Sequence, residues 1–168
     1  EHAGEFWDLL KESDIKELDE LIDYEKPKFL TGSPPCDPFS ALLSISKYRC
    51  DPKRREASFE RGKKHLHTSV RFYRKQYFEG RYFLHEHPMT ATRWYDEEMQ
   101  ALQRLDGVFR VDGPMCFWNM VLGNSQQGYG HAHKRTKLVT NSPVLAKLLD
   151  KWCTNFCGGP IHRHVTLM

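Results

Sequence analysis

A cysteine in a stiffened loop is the residue of this sequence best suited to act as a nucleophile. The segment TGSPPCDPFS covers residues 31–40 and places Cys36 directly after two prolines. Gly32 permits a sharp turn, and Pro34 and Pro35 each fix a backbone φ angle, so the thiol is held rigidly. A rigid, partly exposed cysteine attacks electrophiles when its thiolate is favoured. The pattern therefore predicts a candidate nucleophile at Cys36, and the alternative is an ordinary proline-rich turn.

A carboxylate occupies a comparable position further along the chain. Residues 81–85 read RYFLH, which predicts a strand, and Glu86 follows directly. In α/β sheets, reactive side chains gather at the carboxyl ends of the strands. A loop after one strand and a carboxylate after the next can therefore share a pocket, in which Glu86 would serve as an acid or a hydrogen-bonding group.

The C-terminal segment carries a third chemically distinctive set of residues. Its pattern is C-x3-C-x4-H-x-H, made by Cys153, Cys157, His162 and His164. Two thiolates and two imidazoles are ligands that zinc accepts, although this spacing is not that of a standard zinc finger. The pattern predicts a structural zinc site, and the alternative is an ordinary helix end followed by a polar tail.

The elements that would position these residues alternate between helix and strand. Apolar residues at three- and four-residue steps predict the helices, and short β-branched or aromatic runs predict the strands. This order is typical of an α/β fold with a mostly parallel sheet and helices on its faces. We expect one domain over residues 1–168, with an irregular or zinc-binding tail at 152–168. The predicted helices are 14–25, 53–79, 94–105 and 143–152, the predicted strands are 29–32, 81–85, 108–111 and 138–140, and the Gly-rich segment 123–133 is predicted as a loop.

Composition excludes several classes of protein. The 168 residues include 25 basic and 22 acidic side chains, and 12% are aromatic, which argues against a disordered chain. No apolar run is long enough to cross a membrane, and we expect no secretory signal, because residues 1–5, EHAGE, do not have the composition of one. Five cysteines without such a signal indicate free thiols in a reducing compartment, the nucleus or the cytoplasm. The sequence begins without methionine, so we expect a piece of a longer protein.

Positive charge is concentrated in the longest predicted helix. Between Lys53 and Lys75 there are nine lysine or arginine residues and two glutamates, a local net charge of +7. Such a strip suits a polyanion such as nucleic acid, although a solvated helix face can have the same composition. The candidate nucleic-acid contacts are Ser40, Arg54, Arg55, Arg61, Lys63 and Lys64.

Together, these motifs resemble the DNA cytosine carbon-5 methyltransferases. The string G-x-P-P-C-x-x-F-S around Cys36 resembles their nucleophile loop, and Glu86 stands where they have the first residue of a Glu-Asn-Val motif. Residues 134–141, KRTKLVTN, are similar to a K-P-T-x-x-x-T-N segment of phage-type members, and residues 158–165 are similar to their Gly- and His-rich ending. The resemblance spans roughly residues 8–166. It implies the Rossmann-like sheet of S-adenosylmethionine-dependent methyltransferases, with helices on both faces, incomplete at its N-terminus.

The resemblance also implies a role for each motif. The Cys36 thiolate would add to carbon 6 of cytosine and make carbon 5 nucleophilic, while Glu86 would hydrogen bond to ring nitrogen 3 or protonate it. The methyl group would come from S-adenosylmethionine. The target base must leave the stack of double-stranded DNA, whose phosphates the basic residues would hold. The candidate cofactor contacts are Ser33, Pro34 and Asp8, the last at the end of a strand predicted at 6–9.

Departures from the family pattern leave two other functions open. Asp37 replaces the usual glutamine after the nucleophile, and His87 and Pro88 replace Asn-Val. Residues 115–119 lack the family's arginine, and its F-x-G-x-G cofactor loop does not occur in the sequence. One alternative is an inactive remnant that acts as a nucleic-acid-binding or zinc-stabilised module. The other is an amino-methyltransferase, whose [S/N/D]-P-P-aromatic loop begins in the same way as the SPP at 33–35.

Overall fold

A computed structural model of the protein describes residues 7–35, 51–124, 126, 128–155 and 158–165. Among the predicted site residues, Cys36, Ser40 and Cys157 lie outside this part of the chain. The helices described are α1 (Glu12–Glu25), α2 (Pro52–Phe78), α3 (Glu97–Gln103) and α4 (Pro143–Leu149), with 3-10 turns at Thr92–Tyr95 and Met115–Trp118. The strands are β1 (Phe29–Gly32), β2 (Tyr82–Pro88), β3 (Phe109–Pro114), β4 (Val121–Asn124), β5 (Gly128–Ala132), β6 (Arg135–Thr140) and β7 (His164–Val165).

The local sequence explains where α2, the longest of these helices, begins and ends. Pro52 occupies its first turn, and the Asp51 carboxylate accepts a hydrogen bond from the Lys53 amide at 3.1 Å. Gly80 has a φ of 70°, a left-handed conformation that commonly ends a helix. The helix predicted at 53–79 is therefore confirmed. Within the described residues, no helix has both the length and the apolar character needed to cross a membrane.

The main sheet has the strand order β1-β2-β6-β3. β1 and β2 are parallel, with Leu30 opposite Phe83, whereas β6 is antiparallel to both of its neighbours. Because β2 and β3 both run against β6, the strands β1, β2 and β3 share one direction. Their carboxyl ends therefore meet at one side of the sheet, which we call the carboxyl edge. The α/β class is confirmed. The prediction of a mostly parallel sheet is wrong, because this sheet is mixed and only its β1–β2 ladder is parallel.

Helices cover both faces of the main sheet. On one face Val139 of β6 packs with the buried residues of α2 and α3, and α1 packs beside α2. On the other face Val111 and Leu138 pack against Ala146 of α4. Leu138 and Val139 are neighbours in β6 and yet belong to opposite layers, because successive side chains of a strand point to opposite faces.

A second, smaller sheet has the strand order β4-β5-β7, so the loop predicted at 123–133 is wrong. β4 and β5 form an antiparallel hairpin, and β7 of the tail pairs in parallel with β5. A Cβ atom at Gly130 would lie 2.5 Å from Val165 Cγ2 and 3.0 Å from the Arg163 carbonyl oxygen. The glycine here permits a close approach between strands, a role that composition does not distinguish from loop flexibility.

Two further predictions differ from the structure. The described residues of the strand predicted at 6–9 are not in a strand; they belong to a turn before α1, in which the Asp8 carboxylate accepts a hydrogen bond from the Leu10 amide at 3.0 Å. The helix predicted at 94–105 is interrupted, because the Asp96 carboxylate caps a new helix by accepting from the Glu98 amide at 3.0 Å.

Candidate functional site at the carboxyl edge

Ser33 and Glu86 meet at the carboxyl edge of the main sheet. β1 ends at Gly32, which is paired with His85, the residue before Glu86. Ser33, the first residue of the loop after β1, therefore lies beside the Glu86 carboxylate. The Ser33 hydroxyl donates a hydrogen bond to Glu86 Oε2 at 2.5 Å, and the Lys134 ammonium lies 3.5 Å from Glu86 Oε1. The Glu86 side chain is 23% exposed, so it is accessible to a ligand. The structure therefore brings the loop that leads to Cys36 together with the predicted acid and adds a cation.

A buried arginine fixes the backbone of this loop. Arg93 lies in the 3-10 turn after β2 and is 1% exposed. Its Nη1 donates to the Pro34 carbonyl oxygen at 3.4 Å, and its Nη2 donates to the Pro35 carbonyl oxygen. The segment after β2 therefore holds the two residues that precede Cys36 in the sequence.

The histidines on either side of Glu86 face away from it. Side chains alternate along a strand, so His85 and His87 point into the helix layer against Trp94, where both are fully buried. Burial is the main cause that lowers the pKa of His85 to about 3 and that of His87 to about 4, and the Arg93 cation acts in the same direction. Both rings are therefore neutral at pH 7 and belong to the packing of the helix layer.

The three predicted cofactor contacts are engaged with other groups. The Asp8 carboxylate holds the turn before α1 through the Leu10 amide. The Ser33 hydroxyl donates to the carboxylate described above, and the buried Pro34 offers its carbonyl oxygen to Arg93. The described residues therefore give no support for a site that binds S-adenosylmethionine.

The described nucleic-acid candidates lie where α2 extends beyond the sheet. Gln76 of α2 donates to the Tyr82 carbonyl oxygen at the start of β2, whereas the Tyr73 hydroxyl, one turn earlier in the helix, contacts His85 further along the strand. The helix α2 is therefore antiparallel to β2. Arg54 lies roughly 28 Å further along the helix axis than Tyr73. We call residues 52–64, which project past the carboxyl edge, the basic overhang. It carries Arg54, Arg55, Arg61, Lys63 and Lys64, of which Lys64 also holds the backbone before α1 at 2.7 Å.

Two cysteines and two histidines converge near the same edge. Cys116 follows β3, Cys153 follows α4, and His162 and His164 lie in the tail; their ligand atoms all lie within 4.8 Å of one another. Cys153 Sγ is 3.6 Å from His162 Nε2 and 3.4 Å from His164 Nε2, and the two nitrogens are 2.9 Å apart. These four residues, the Cys/His cluster, can hold a metal ion. Cys157, which the sequence pattern put in the set, lies outside the described residues, and Cys116 supplies the second thiol of the cluster.

Burial also sets the protonation of the cluster in the absence of a metal. It raises the pKa of the Cys116 thiol to about 11 and lowers the pKa of His164. At pH 7 the thiol is therefore protonated, whereas the imidazole is already in the neutral form that binds metals. A metal ion must displace the thiol proton, so its binding should strengthen as the pH rises.

A cavity of about 370 Å³ lies between the Cys/His cluster and Lys134. Cys116, Cys153 and His164 contribute to one side of it. Its cationic lining residues are Lys134, Arg135 and Lys151. Because Lys134 also contacts Glu86, the cavity adjoins both groups of candidate functional residues on the carboxyl edge.

Sequence reasoning missed three residues of these sites, namely Arg93, Lys134 and Cys116. Lys134 opens the segment KRTKLVTN that carries part of the family resemblance, so a signal for it was present. Cys116 follows a predicted strand closely, which is also the position that drew attention to Cys36. Arg93 has no comparable signal, because its partners are backbone carbonyl groups far away in the sequence.

Comparisons with protein-family models, with curated proteins and with solved structures find no match to this chain. The α/β class therefore rests on the strands and helices themselves, and its methyltransferase form stays a prediction. The residues of the carboxyl edge are the basis for assigning a function.

Proposed function

We propose that this chain activates cytosine in DNA for methylation at carbon 5, with Cys36 as the nucleophile and Glu86 as the assisting acid. The observation that carries the proposal is the 2.5 Å hydrogen bond from the Ser33 hydroxyl to Glu86. It ties the loop that leads to Cys36 to the carboxylate on the adjacent strand, as a pocket shared by thiol and acid requires. Arg93 adds support, because it holds the carbonyl groups of the two residues before the thiol.

The proposed reaction begins when the Cys36 thiolate adds to carbon 6 of the pyrimidine. As the S–C6 bond forms, the C5–C6 π electrons shift to make a C4–C5 double bond. The π electrons of the N3–C4 double bond move to ring nitrogen 3, which takes a proton from Glu86. Carbon 5 is now nucleophilic and bonds to an electrophile. Loss of the original proton from carbon 5, departure of the thiolate from carbon 6 and return of the nitrogen proton to Glu86 restore the ring.

Lys134 would supply the cation that the family places near its substrate base as an arginine. Its ammonium lies 3.5 Å from Glu86 Oε1 and lines the adjoining cavity. A cation at this distance would stabilise the Glu86 carboxylate after proton transfer to the base. This role compensates for the missing arginine at residues 115–119.

Double-stranded DNA inside the cell, in the nucleus or the cytoplasm, is the proposed partner. The basic overhang projects past the edge that carries Glu86, so phosphates held there would bring a target base towards the pocket. The cytosine must leave the base stack, because within a duplex the thiol cannot reach carbon 6 and the carboxyl group cannot reach ring nitrogen 3.

The two proposed cofactors have different support. S-adenosylmethionine would supply the methyl group, but the described residues give it no site, and activation of the base by Cys36 and Glu86 does not require it. Zinc is the ion proposed for the Cys/His cluster, because thiolate and imidazole ligands favour zinc over hard cations such as magnesium.

The Cys/His cluster favours a second candidate function. A metal-stabilised module that binds nucleic acid without catalysis would need this cluster and the basic overhang, and it would not need the Cys36 thiol. An amino-methyltransferase would also not need that thiol, because it transfers the methyl group directly to an exocyclic nitrogen. Replacement of Cys36 therefore separates the leading proposal from both alternatives.

The test measures exchange of the hydrogen on carbon 5, which needs the thiolate addition and no methyl donor. The full chain is incubated with duplex DNA that carries tritium on carbon 5 of cytosine, and the release of tritium to water is counted. We expect release by the native chain and none by Cys36→Ser. Glu86→Gln should slow release by about 10²- to 10⁴-fold, the usual contribution of a general acid. Cys50→Ser, a thiol outside every motif, is the matched control and should behave as the native chain does.

Two results would contradict the proposal. Release that persists in Cys36→Ser would show that another group activates the base. A native chain that binds DNA in a salt-dependent way and releases no tritium would favour the non-catalytic module. A separate reaction with S-adenosylmethionine then asks whether a chain that exchanges hydrogen also methylates.

A further inference from the structure

The Cys/His cluster has the spacing of a tetrahedral metal centre. Zinc–sulfur bonds of about 2.3 Å and zinc–nitrogen bonds of about 2.0–2.1 Å place sulfur and nitrogen ligands about 3.5 Å apart, and two nitrogen ligands about 3.3 Å apart. The sulfur of Cys153 lies 3.6 Å and 3.4 Å from the two Nε2 atoms, which are 2.9 Å from each other. Cys116 completes a set of four ligand atoms within 4.8 Å.

Residues around the cluster orient its ligands. Thr154 Oγ1 lies 3.2 Å from His162 Nδ1, so this ring has one nitrogen engaged by a hydroxyl and the other turned towards the cluster. The Asn155 side chain accepts from the His162 amide and donates to its carbonyl oxygen, both at 2.8 Å. Metal-binding histidines commonly have their second nitrogen fixed by such a partner. The ring of His133 stacks on that of His164 at 4.9 Å between centroids.

The four ligands come from three separate segments of the chain. Cys116 follows a strand of the main sheet and Cys153 follows α4, whereas His162 and His164 belong to the tail. The tail is paired to β5 by a ladder of two residues, with the His131 and His133 amides donating to the Arg163 and Val165 carbonyl groups at 2.8 Å. A ladder of two residues is weak by itself. An ion at the cluster would join the tail to the end of the main sheet.

We propose that Cys116, Cys153, His162 and His164 form a closed, four-ligand metal centre, which pins the tail to the main sheet and builds one side of the cavity next to Lys134. Four protein ligands fill a tetrahedral shell and leave no position for substrate, so the centre is structural. Its ligand set differs from the one that the sequence pattern predicts, because Cys116 replaces Cys157. The centre stands independently of the proposed base activation.

The first measurement uses metal alone as the probe. The full chain, purified under reducing conditions, is analysed for bound zinc and then titrated with Co²⁺ after zinc removal. We expect one ion per chain and the intense visible absorption of tetrahedral Co²⁺, with a thiolate charge-transfer band. A chain that binds no Co²⁺ stoichiometrically would overturn the proposal. So would a disulfide between Cys116 and Cys153 in the freshly reduced protein, mapped by mass spectrometry.

Matched variants identify the ligands. Cys116→Ser and His164→Asn should each weaken Co²⁺ binding strongly and alter the spectrum, whereas Cys157→Ser should retain the native spectrum and affinity. Thr154→Val keeps all four ligands and should weaken binding by roughly 10-fold or more, because it removes the hydroxyl that contacts His162 Nδ1 and donates to the Pro160 carbonyl oxygen. Loss of the spectrum in Cys157→Ser with retention in Cys116→Ser would overturn the ligand assignment.

Amide hydrogen exchange tests the pinning of the tail. Removal of the metal should speed exchange at the His131 and His133 amides, which donate to the tail, and should leave the buried Val139 amide of β6 unchanged. Equal acceleration at all three sites would indicate global unfolding and contradict a local clamp. None of these measurements uses DNA or tritium, so the proposal succeeds or fails separately from base activation.

Discussion

Gly32, where the chain leaves β1 for the loop that leads to Cys36, provides a quantitative test of how this loop is positioned. A Cβ atom added at Gly32 would lie 2.1 Å from the Tyr73 hydroxyl oxygen and 3.1 Å from Tyr73 Cζ. Gly32 does not have a positive φ angle, so alanine can adopt the same backbone conformation. The conflict is therefore a steric one between the added Cβ and Tyr73. We therefore predict that Gly32→Ala is destabilising and that Tyr73→Phe restores most of the loss.

The magnitude follows from the surroundings of Tyr73. Its side chain is 1% exposed, its ring stacks on Phe83 at 5.1 Å, and its hydroxyl lies 3.2 Å from His85 Nδ1, so it cannot turn away without leaving the core. Overpacking at such a site costs about 1–3 kcal/mol in the free energy of unfolding. Tyr73→Phe alone should cost about 1 kcal/mol, because the hydrogen bond to His85 is lost.

The double variant distinguishes steric conflict from a general loss of packing. Once the hydroxyl is removed, the nearest atom is Cζ at 3.1 Å, a distance that a shift of a few tenths of an ångström makes acceptable. The double variant with Gly32→Ala and Tyr73→Phe should thus be about as stable as Tyr73→Phe alone. The two substitutions would then be coupled by about 1–3 kcal/mol in the free energy of unfolding. Gly80→Ala is the matched control. Its cost would come from backbone strain, because Gly80 has a φ of 70° and no atom lies within 4 Å of the added Cβ. Its cost should add to that of Tyr73→Phe without coupling.

The assay is urea unfolding followed by tryptophan fluorescence, with the slope m compared among variants. A double variant as unstable as the sum of its two single changes would refute the reasoning. It would mean that Gly32 is needed for a reason other than its approach to Tyr73. Tritium release by the same variants then shows whether a shift at Gly32 also disturbs the proposed pocket.

Two further predictions concern pH and salt. In the unfolded chain the two buried histidines of β2, His85 and His87, take up a proton near pH 6.5, whereas in the folded chain they do so only near pH 3 and pH 4. The free energy of unfolding should therefore be highest above about pH 6.5. It should fall as the pH decreases below that value, by up to about 1.4 kcal/mol per pH unit for each histidine. Urea unfolding at several pH values checks this, with a smaller slope expected for His87→Asn and a flat profile from pH 6.5 to 5 as the contradicting result. Replacing Arg54 and Arg55 of the basic overhang by Gln should reduce the slope of log Kd for DNA against log salt by roughly 1.8. The same change at Lys26 and Lys28, which precede β1 at the opposite edge, should have little effect, and equal effects of the two pairs would contradict a DNA site at the overhang.

Much of the main sheet could be predicted because its signals are local. A short aromatic and apolar run predicts the strand at 29–32, and apolar spacing predicts the long helix after it; the structure has the strand with the same bounds. The contact between Ser33 and Glu86 also follows from local signals, since successive parallel strands bring their carboxyl ends together. What composition could not reveal is the role of a glycine such as Gly130, which permits a close approach between strands in a segment that was predicted to be a loop.

The position of Lys134, one of the residues that sequence reasoning missed, depends on the direction of one strand. Because β6 runs against its neighbours, it begins at the carboxyl edge, and Lys134, the residue before it, lies beside Glu86. A parallel strand in the same place would begin at the opposite edge and put that lysine far from the carboxylate. β3 runs in the same direction as β2, so Cys116 emerges at the carboxyl edge and reaches Cys153. Strand direction is decided by long-range pairing, and the cation near Glu86 follows from that single choice, whereas Cys116 would lie at this edge in a parallel sheet as well.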